Sequence, residues 1–151
     1  MRQLRQLQRM HHAQGPVMNS TIDEYMATDL VCLAPDDDII HAMRVLLDRH
    51  FSGAPVIDRN GNMVGVLSQK DCLAIVYNTA YHQDWGGKVE QYMSREIEHI
   101  DAGSSIFDAA EKFLHSSHRR FPVLREGRLV GQISRHDIMR ALDEHYLRKG
   151  R

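Results

Sequence analysis

Apolar residues return along the first half of the chain with the period of a helix and then with that of strands. Between residues 39 and 47 they recur every three or four positions, which predicts a helix with one face toward a core. Short apolar runs at 54–57 and 63–67 flank an Asp-Arg-Asn-Gly-Asn segment, a pattern typical of a hairpin. A second helix is predicted from Ser68 to about Asn78. The residues predicted to face the core from the first helix are Ile39, Ala42, Met43, Leu46 and Leu47.

Boundary residues predict the elements that precede this helix. Thr21 followed three positions later by Glu24 is a capping-box pattern, so a short helix is predicted there, ending near Met26. Residues 31–33 are apolar and stop at Ala34-Pro35, which predicts a short strand. The aspartates at 36–38 supply an N-cap and negative charge for the start of the first long helix.

The same order of elements occurs twice, about 67 positions apart. Residues 22–26 align with 89–93, and Pro55-Val56 aligns with Pro122-Val123. After a one-residue deletion near Asp58, the later segments align as well. The second half therefore has predicted helices at 105–116 and from 134 to about 145, with strands at 121–124 and 129–133. The predicted fold is α+β, with two pseudo-symmetric β-α-β-β-α repeats.

The predicted division of the 151 residues follows from this duplication. Residues 1–19 are a basic extension, 20–80 the first repeat, 81–87 a linker, 88–147 the second repeat and 148–151 a tail. Each repeat alone would bury too little surface for robust stability. The repeats are therefore expected to pack against each other, and a ligand is expected at the seam.

Charge and cysteine content exclude several classes of protein. The chain has 19 Lys and Arg against 20 Asp and Glu, so a nucleic-acid partner is not indicated. Cys32 and Cys72 fit reduced packing residues of a cytosolic protein better than a disulfide framework. Without an apolar run of about 18 residues, no membrane span is predicted, and we expect a cytoplasmic location.

The amino-terminal extension allows two interpretations. Apolar residues at threefold spacing lie beside three arginines without an acidic residue, which would suit a short basic helix for a partner or an anionic surface. A segment this short is marginal as an isolated helix, so a frayed, solvated extension is preferred. The residues of the helical reading are Leu4, Leu7 and Met10, with Arg2, Arg5 and Arg9.

Three motifs occur twice and in the same order. They are a Tyr-Met pair at 25–26 and 92–93, an apolar-Pro-Val strand, and Gly-x-apolar-Ser-x-x-Asp at 65–71 and 131–137. With these motifs, about 125 of the 151 positions resemble a tandem pair of cystathionine-β-synthase (CBS) domains. The resemblance implies a disc-like module, often dimeric. It further implies adenosine-containing ligands in clefts between the repeats, and signalling of their occupancy to a partner.

The resemblance also implies which residues hold the sugar. In such modules the last Asp of the motif takes the ribose hydroxyls, and the Ser three positions earlier supports sugar or phosphate. This carries over to Asp71 with Ser68, and to Asp137 with Ser134. The chemistry agrees, since an ionised Asp accepts two hydrogen bonds and a helix N-terminus favours phosphate. The same pattern is also an ordinary helix cap, and the two roles can coexist.

A basic triplet at His118, Arg119 and Arg120 stands immediately before the second apolar-Pro-Val strand. In nucleotide-binding members of the family, basic residues at this place reach the phosphates, and guanidinium groups suit phosphate geometry. Adjacent arginines also occur on surfaces without a ligand. The matching residues 51–53 carry no charge. We therefore expect the two clefts to differ, with a phosphorylated ligand preferring the one reached by Arg119 and Arg120.

The family pattern alone implies an adenine site. The base would lie against Ala54, Pro55 and Val66, or against Phe121, Pro122 and Gln132, with backbone near Leu30 or Ile97 reading its edge. As alternatives, the prolines can simply begin strands, and Phe121 can belong to the core. Gly65 and Gly131 permit close backbone approach.

Metal and catalytic chemistry find little support in the sequence. His115 and His118 have helical spacing, but no further ligand motif accompanies them, so no metal site is predicted. No nucleophile or phosphate-loop motif is present, so no catalytic residue is predicted. A small nucleotide-processing enzyme using Asp71 or Asp137 is the least favoured alternative.

The predicted function is therefore a non-enzymatic regulatory module. It is expected to need no cofactor and to bind AMP, ADP or ATP, with NAD or S-adenosylmethionine as further candidates. Its expected partners are a second copy in a homodimer and an effector protein in trans. The main alternative is a scaffold for oligomerisation or interaction that binds no ligand.

Overall fold

A computed structural model describes residues 20–83 and 86–147. The predictions for the basic extension, for residues 84–85 of the linker and for the tail lie outside this part. The described chain mixes helices with short strands, which confirms the predicted fold class. Its elements are a 3-10 helix at Ile22–Glu24, α1 at Ile39–Asp48, β1 at Gly53–Ile57, β2 at Met63–Ser68, α2 at Gln69–His82, a 3-10 helix at Val89–Gln91, β3 at Ile100–Asp101, α3 at Ile106–Leu114, β4 at Arg120–Arg125, β5 at Arg128–Ser134, α4 at Arg135–Leu142 and a π-helical turn at Asp143–Leu147.

Two compact units make up the described residues. Unit 1 contains residues 20–30, Glu98–Glu126 and 130–147, and unit 2 contains Val31–Ile97, apart from the two undescribed residues, with Gly127–Leu129. Unit 1 therefore combines the opening segment of the first repeat, residues 20–30, with the helices and strands of the second repeat. Unit 2 combines the elements from α1 to α2 with the opening segment of the second repeat, residues 88–97. The boundaries 20–80 and 88–147 stay a prediction about the sequence repeat.

Unit 2 is built on the predicted hairpin. Strands β1 and β2 are antiparallel with Gly53 opposite Ser68 and Pro55 opposite Val66. The Asp58 carboxylate accepts the N–H groups of two turn residues, both at 2.9 Å, which fixes the turn. The strand predicted at 31–33 is reduced to one parallel bridge, between Leu33 and Val56.

Helix α1 begins as predicted but buries a narrower face. The Asp38 carboxylate accepts the N–H of His41 at 3.0 Å and caps the helix. Ile39, Ala42 and Leu46 are buried, whereas Leu47 is 60% exposed, so its predicted place in the core is wrong. The reason is geometric, since Leu47 lies about 100° around the helix from Leu46.

Helix α2 and the cysteines depart from their predictions. The helix continues to His82, beyond the predicted end near Asn78 and into the predicted linker. The rings of Tyr77 and Tyr81 pack against each other on its last turns, tilted by 36° and with centroids 4.6 Å apart. Cys72 is buried, as expected for a packing residue. Cys32 is exposed, so its predicted packing role is wrong.

Unit 1 contains a sheet in the order β3-β4-β5, in which β3 and β4 are parallel. The turn after β4 has positive φ at both Glu126 (52°) and Gly127 (78°), as a tight two-residue connection requires. Its core is one apolar cluster of buried residues: Ile22, Tyr25, Ile100, Ala102, Ile106, Ala109, Phe113, Phe121, Val123, Ile133 and Ala141.

The opening segment of unit 1 forms the predicted short helix but not the predicted capping box. The helix is a single 3-10 turn, and Thr21 makes no side-chain cap. The Thr21 hydroxyl instead donates to the carboxylate of Asp23. The equivalent 3-10 turn at Val89–Gln91 does form the reciprocal bond, in which Gln91 Oε1 accepts the N–H of Lys88 at 2.7 Å.

Each opening segment docks on a sheet through backbone hydrogen bonds and a methionine. Ala27 and Gln132 exchange bonds of 2.8 and 2.9 Å, and Ser94 and Val66 exchange two of 2.9 Å. Met26 lies over Gly131 and Met93 over Gly65, where a Cβ atom would collide with the methionine side chain. The two glycines therefore permit the approach of the chain's own opening segment. The sequence motifs Tyr-Met and Gly-x-apolar-Ser are thus two sides of one contact.

Candidate functional site

Both Ser-x-x-Asp segments form capping boxes. Ser68 Oγ accepts the N–H of Asp71 at 3.1 Å, and Asp71 Oδ2 accepts the N–H of Ser68 at 2.9 Å. The bonds between Ser134 and Asp137 measure 3.2 and 2.9 Å. The capping role is therefore real at both sites. It uses one carboxylate oxygen of each aspartate and leaves Oδ1 outside the cap.

The serines share an open sheet face with several predicted ligand residues. Side chains alternate between the two faces of a strand, and the burial patterns of β1, β2, β4 and β5 follow this alternation near the site. One face of each sheet is buried, and the other is partly open. The open-face residues in unit 2 are Gly53, Pro55, Val66 and Ser68, and in unit 1 they are Arg120, Pro122, Gln132 and Ser134.

Two residues of the predicted adenine wall lie on the opposite, buried faces. Ala54 is 2% exposed and Phe121 is fully buried, each within the core of its own unit. Their side chains therefore do not meet those of Pro55 and Pro122, which alternate with them. The alternative reading of Phe121 as a core residue describes its position.

The loop before β4 reaches the start of α4. The N–H of Arg135 donates to the carbonyl of Arg119 at 3.1 Å. The equivalent bond in unit 2, from Gln69 to Ser52, is 2.9 Å. The structure thus brings Arg119 and Arg120 next to the capping box of Ser134. Both arginine side chains are exposed, and neither forms an ion pair with a residue of the described ranges.

His118, the first residue of the basic triplet, contacts Glu98 and not the capping box of Ser134. His118 Nε2 lies 3.0 Å from Glu98 Oε2, and its ring meets the edge of Phe121 at 5.2 Å between centroids. It lines a surface depression of about 430 Å³ that does not include Ser134 or Asp137 among its lining residues. The lining residues are Glu98, Lys112, His115, Ser116, Ser117 and His118.

Leu30 and Ile97 fall at the ends of the opening segments. Leu30 belongs to unit 1 and Ile97 to unit 2, and both are partly buried. Each follows by three positions the residue that pairs with the sheet, Ala27 in one case and Ser94 in the other. Leu30 therefore lies in the same unit as Asp137, and Ile97 lies in the same unit as Asp71. Each unit thus contains predicted site residues from both sequence repeats.

The structure adds two arginines that the sequence argument missed. Arg135 is the residue whose N–H binds Arg119, and Arg140 NH2 lies 3.5 Å from Asp137 Oδ1. The matching residues of unit 2 are Gln69 and Ala74, neither of which is charged. Comparing the unassigned positions inside the motif would have shown the difference at Arg135, and extending the alignment past Asp137 the difference at Arg140.

Burial raises two pKa values near these sites. The pKa of the Tyr25 hydroxyl is raised by desolvation and next by the charge of Glu144. Its hydroxyl is hydrogen-bonded to His145. The pKa of the Cys72 thiol is raised by desolvation and then by the charge of Asp71. Cys72 therefore remains protonated at neutral pH and lacks the thiolate that nucleophilic or metal-binding chemistry requires.

The described part contains no cluster of metal ligands and no membrane-spanning helix. No group of three or more His, Cys, Asp or Glu residues within 20–83 and 86–147 could hold a metal ion. His115 terminates α3 rather than lying within it. None of the described helices is both long and apolar enough to traverse a bilayer.

Comparisons with known proteins agree with this architecture. The family model of the CBS domain matches residues 22–78 and 89–144. The solved structure of CBSX2 in complex with AMP has 28% sequence identity and a TM-score of 0.68, covering 87% of this chain and 98% of that chain. The CBS-pair protein CBSX2 from Arabidopsis thaliana has 27% identity and a TM-score of 0.69, covering 83% and 96%.

A curated relative from Methanocaldococcus jannaschii, an uncharacterised protein, is 25% identical over 125 residues. The match covers 83% of this chain and 44% of the relative. This chain thus spans less than half the length of that relative.

Proposed function

This chain belongs to the CBS domain family and carries two CBS domains in tandem, and from that premise we propose that it is a regulatory module that binds adenosyl compounds. The observation that carries the proposal is the duplicated capping box. Each box holds an aspartate at the edge of a partly open sheet face, with one carboxylate oxygen outside the cap. The AMP complex of the relative CBSX2 supports the class of ligand.

Ribose binding follows from the chemistry of the second carboxylate oxygen. Asp71 Oδ2 accepts a backbone N–H, and Oδ1 has no partner among residues 20–83 and 86–147. Two adjacent ribose hydroxyls would donate to this carboxylate, because an ionised carboxylate accepts several hydrogen bonds. Asp137 occupies the same position in unit 1. The adenine would lie on the open face, beside Pro55 or Pro122.

The two sites would prefer different ligands. Arg119 and Arg120 lie beside the capping box of unit 1, and their guanidinium groups form no ion pair with the described residues. The equivalent residues of unit 2, Ser52 and Gly53, are uncharged. Guanidinium donors match phosphate oxygens in a planar, two-pronged geometry. AMP, ADP or ATP would therefore bind most tightly at unit 1. His118 would contribute only after leaving Glu98.

Calorimetric titration of AMP tests the ribose contacts with a control built into the chain. Asp71→Ala and Asp137→Ala should each remove one site, weakening it by about tenfold or more, since a hydrogen bond to a charged group contributes about 1.5–3 kcal/mol. Asp108→Ala removes the equivalent cap of α3, outside both sites, and should leave AMP binding unchanged. Loss of AMP binding in Asp108→Ala, or equal binding in all three variants, would contradict the assignment.

The phosphate contact has its own test. Arg120→Ala should weaken AMP binding while leaving adenosine binding intact, because only AMP carries a phosphate. Arg44→Ala, an exposed arginine on α1, is the matched control. An unchanged AMP affinity in Arg120→Ala would remove Arg120 from the site.

Exposed apolar residues support self-association. Leu47 is 60% and Leu114 48% exposed, and these two are equivalent positions of the two repeats. Leu73 is 66% and Met139 68% exposed, and they are equivalent as well. The same apolar surface has thus been kept in both repeats, although water is a poor environment for it. We propose that a second copy of the chain covers these positions in a homodimer.

Sedimentation equilibrium tests the dimer. Leu73→Glu and Met139→Glu should each shift the wild-type dimer toward monomer, because either change buries a charge in an apolar contact. Lys70→Glu, on the same helix α2 but already polar, should leave the mass unchanged. A wild-type monomer at tens of micromolar would overturn the dimer.

The proposed module regulates rather than catalyses, and it acts in the cytoplasm on an effector protein in trans. A ligand can shift only an equilibrium whose two states it binds differently, so the effector should bind the occupied and empty forms unequally. Incubation of the chain with ATP and magnesium should leave the nucleotide intact. Product release would support a nucleotide-processing enzyme, and failure of all adenosyl compounds to bind would support the scaffold.

A further inference from the structure

The two carboxylates proposed to bind ribose have different neighbours. Asp137 Oδ1 lies 3.5 Å from a guanidinium nitrogen of Arg140, one turn further along α4. The residue of α2 at the position of Arg140 is Ala74, so Asp71 has no cation there. The backbone geometry of the two capping boxes is nearly identical, with N–H to Oδ2 distances of 2.9 Å in both. The difference between the sites is therefore one of charge.

Arg140 is held in place by groups other than Asp137. The same nitrogen, NH2, donates to the backbone carbonyl of Tyr25 at 3.0 Å. The guanidinium carbon lies 5.8 Å from the centre of the Tyr25 ring, and NH1 is 4.0 Å from Glu144. These three contacts hold the guanidinium group beside Asp137.

The matching surroundings in unit 2 are uncharged. Tyr92, the equivalent of Tyr25, accepts from the Asn78 amide at 3.4 Å and donates to the Gly86 carbonyl at 3.3 Å. Asn78 stands where Glu144 stands in unit 1. Unit 1 thus has the charged residues Arg140 and Glu144 where unit 2 has the uncharged residues Ala74 and Asn78.

We propose that Arg140 is a specificity-determining residue that makes the Asp137 site discriminate against adenosyl compounds without negative charge. The proposal rests on the proposed function. A guanidinium beside Oδ1 competes with neutral ribose hydroxyls for the same lone pairs. A phosphorylated ligand offsets this competition, because its negative charge is attracted by Arg140 and the neighbouring arginines. Uncharged adenosyl compounds therefore bind at Asp71, and phosphorylated ones bind at Asp137.

Single-site variants allow each site to be titrated alone. Asp71→Ala leaves the Asp137 site, and Asp137→Ala leaves the Asp71 site. In the Asp71→Ala background, Arg140→Ala should raise adenosine affinity about fivefold, the upper range for a partly exposed ion pair. AMP affinity should not rise. In the Asp137→Ala background, Ala74→Arg should lower adenosine affinity by a similar factor.

A gain in affinity separates this role from a structural one, because a destabilised site does not bind more tightly. Arg125→Ala, which removes a different arginine of unit 1, should leave the adenosine-to-AMP ratio unchanged. Ala74 is exposed, so Ala74→Arg decides the matter if Arg140→Ala fails to fold.

The outcomes distinguish the two proposals. A wild-type chain that binds neither adenosine nor AMP overturns the proposed function. A chain that binds both, with the same ratio in Arg140→Ala and in its parent, overturns the role of Arg140 and leaves the proposed function standing. Lower adenosine affinity in Arg140→Ala also overturns the role of Arg140.

Discussion

Replacing Gly131 by alanine tests the contact on which unit 1 assembles. Gly131 is buried on β5, and a Cβ atom there would lie 2.7 Å from Met26 Cγ and 2.9 Å from the carbonyl oxygen of Ala27. The methionine could move aside. The carbonyl could not, because Ala27 exchanges hydrogen bonds of 2.8 and 2.9 Å with Gln132. The added methyl group must therefore push the opening segment off the sheet or strain β5.

The magnitude follows from two opposing effects. Overpacking of a tight site costs about 1–3 kcal/mol. Restricting the unfolded chain by a Gly→Ala change returns about 0.4–1 kcal/mol. The expected loss is about 1–2 kcal/mol. At about 2–4 °C per kcal/mol for a chain of this size, Tm should fall by about 2–8 °C.

Thermal unfolding followed by circular dichroism measures this loss, with two comparisons. Gly103→Ala introduces the same methyl group where no atom lies within 4 Å, so its Tm should not fall. In a Met26→Ala background, Gly131→Ala should cost less, because part of the collision has been removed. Equal Tm values for Gly131→Ala and Gly103→Ala would refute the proposed packing.

Two further predictions concern residues away from the ligand sites. Burial raises the pKa of Tyr25 above its ordinary value of 10.0, so its stabilising contribution is complete below pH about 10 and declines as pH rises through the folded-state pKa. Tyr25→Phe should lose about 1 kcal/mol with the His145 bond and flatten this alkaline decline in urea midpoints, whereas the exposed Tyr81→Phe should do neither. Leu46→Ala should cost about 2–5 kcal/mol, and Leu47→Ala much less, because Leu47 is 60% exposed; equal costs would show that Leu47 is covered.

Local patterns were sufficient to predict most elements. The Asp58–Asn62 turn, the cap at Asp38 and the duplicated order of helices and strands follow from short-range chemistry that the folded chain retains. Within helix α1 the hydrophobic periodicity did not distinguish two neighbouring residues, because Leu46 is buried and Leu47 is exposed. Periodicity predicts a face, but the width of that face depends on what packs against it.

The exchange of opening segments between the units could not be predicted from either segment alone. Residues 22–26 and 89–93 carry the same pattern, so the pattern alone does not say which sheet each one joins. The contact between Met26 and Gly131 shows how both motifs arise from one packing requirement. In the folded chain each Tyr-Met segment lies on the glycine of the other repeat, Met26 on Gly131 and Met93 on Gly65.

The ligand sites stay a prediction, but the positions of their residues in the folded chain can be compared with the motif. Ser68 and Ser134 cap helices at the ends of strands, as the motif predicts. The alternation of side chains along the strands points Ala54 and Phe121 into the buried cores of their units. This alternation was readable in advance. Arg140 was missed because it lies one turn beyond the last residue of the motif.

Duplication supplies the strongest argument about selectivity. Because both units repeat the same cap, sheet pairing and methionine contact, their backbones cannot explain a difference in ligand. The remaining differences are side chains, and four of them add an arginine in unit 1. Arginines stand at 119, 120, 135 and 140, where unit 2 has uncharged residues at 52, 53, 69 and 74. Changes of the opposite sign include His136, Asp143 and Glu144, which stand where unit 2 has Lys70, Tyr77 and Asn78. The two acidic changes lie at the far end of α4, whereas Arg119, Arg120 and Arg135 lie beside the capping box, so the two sites are expected to separate ligands by their negative charge.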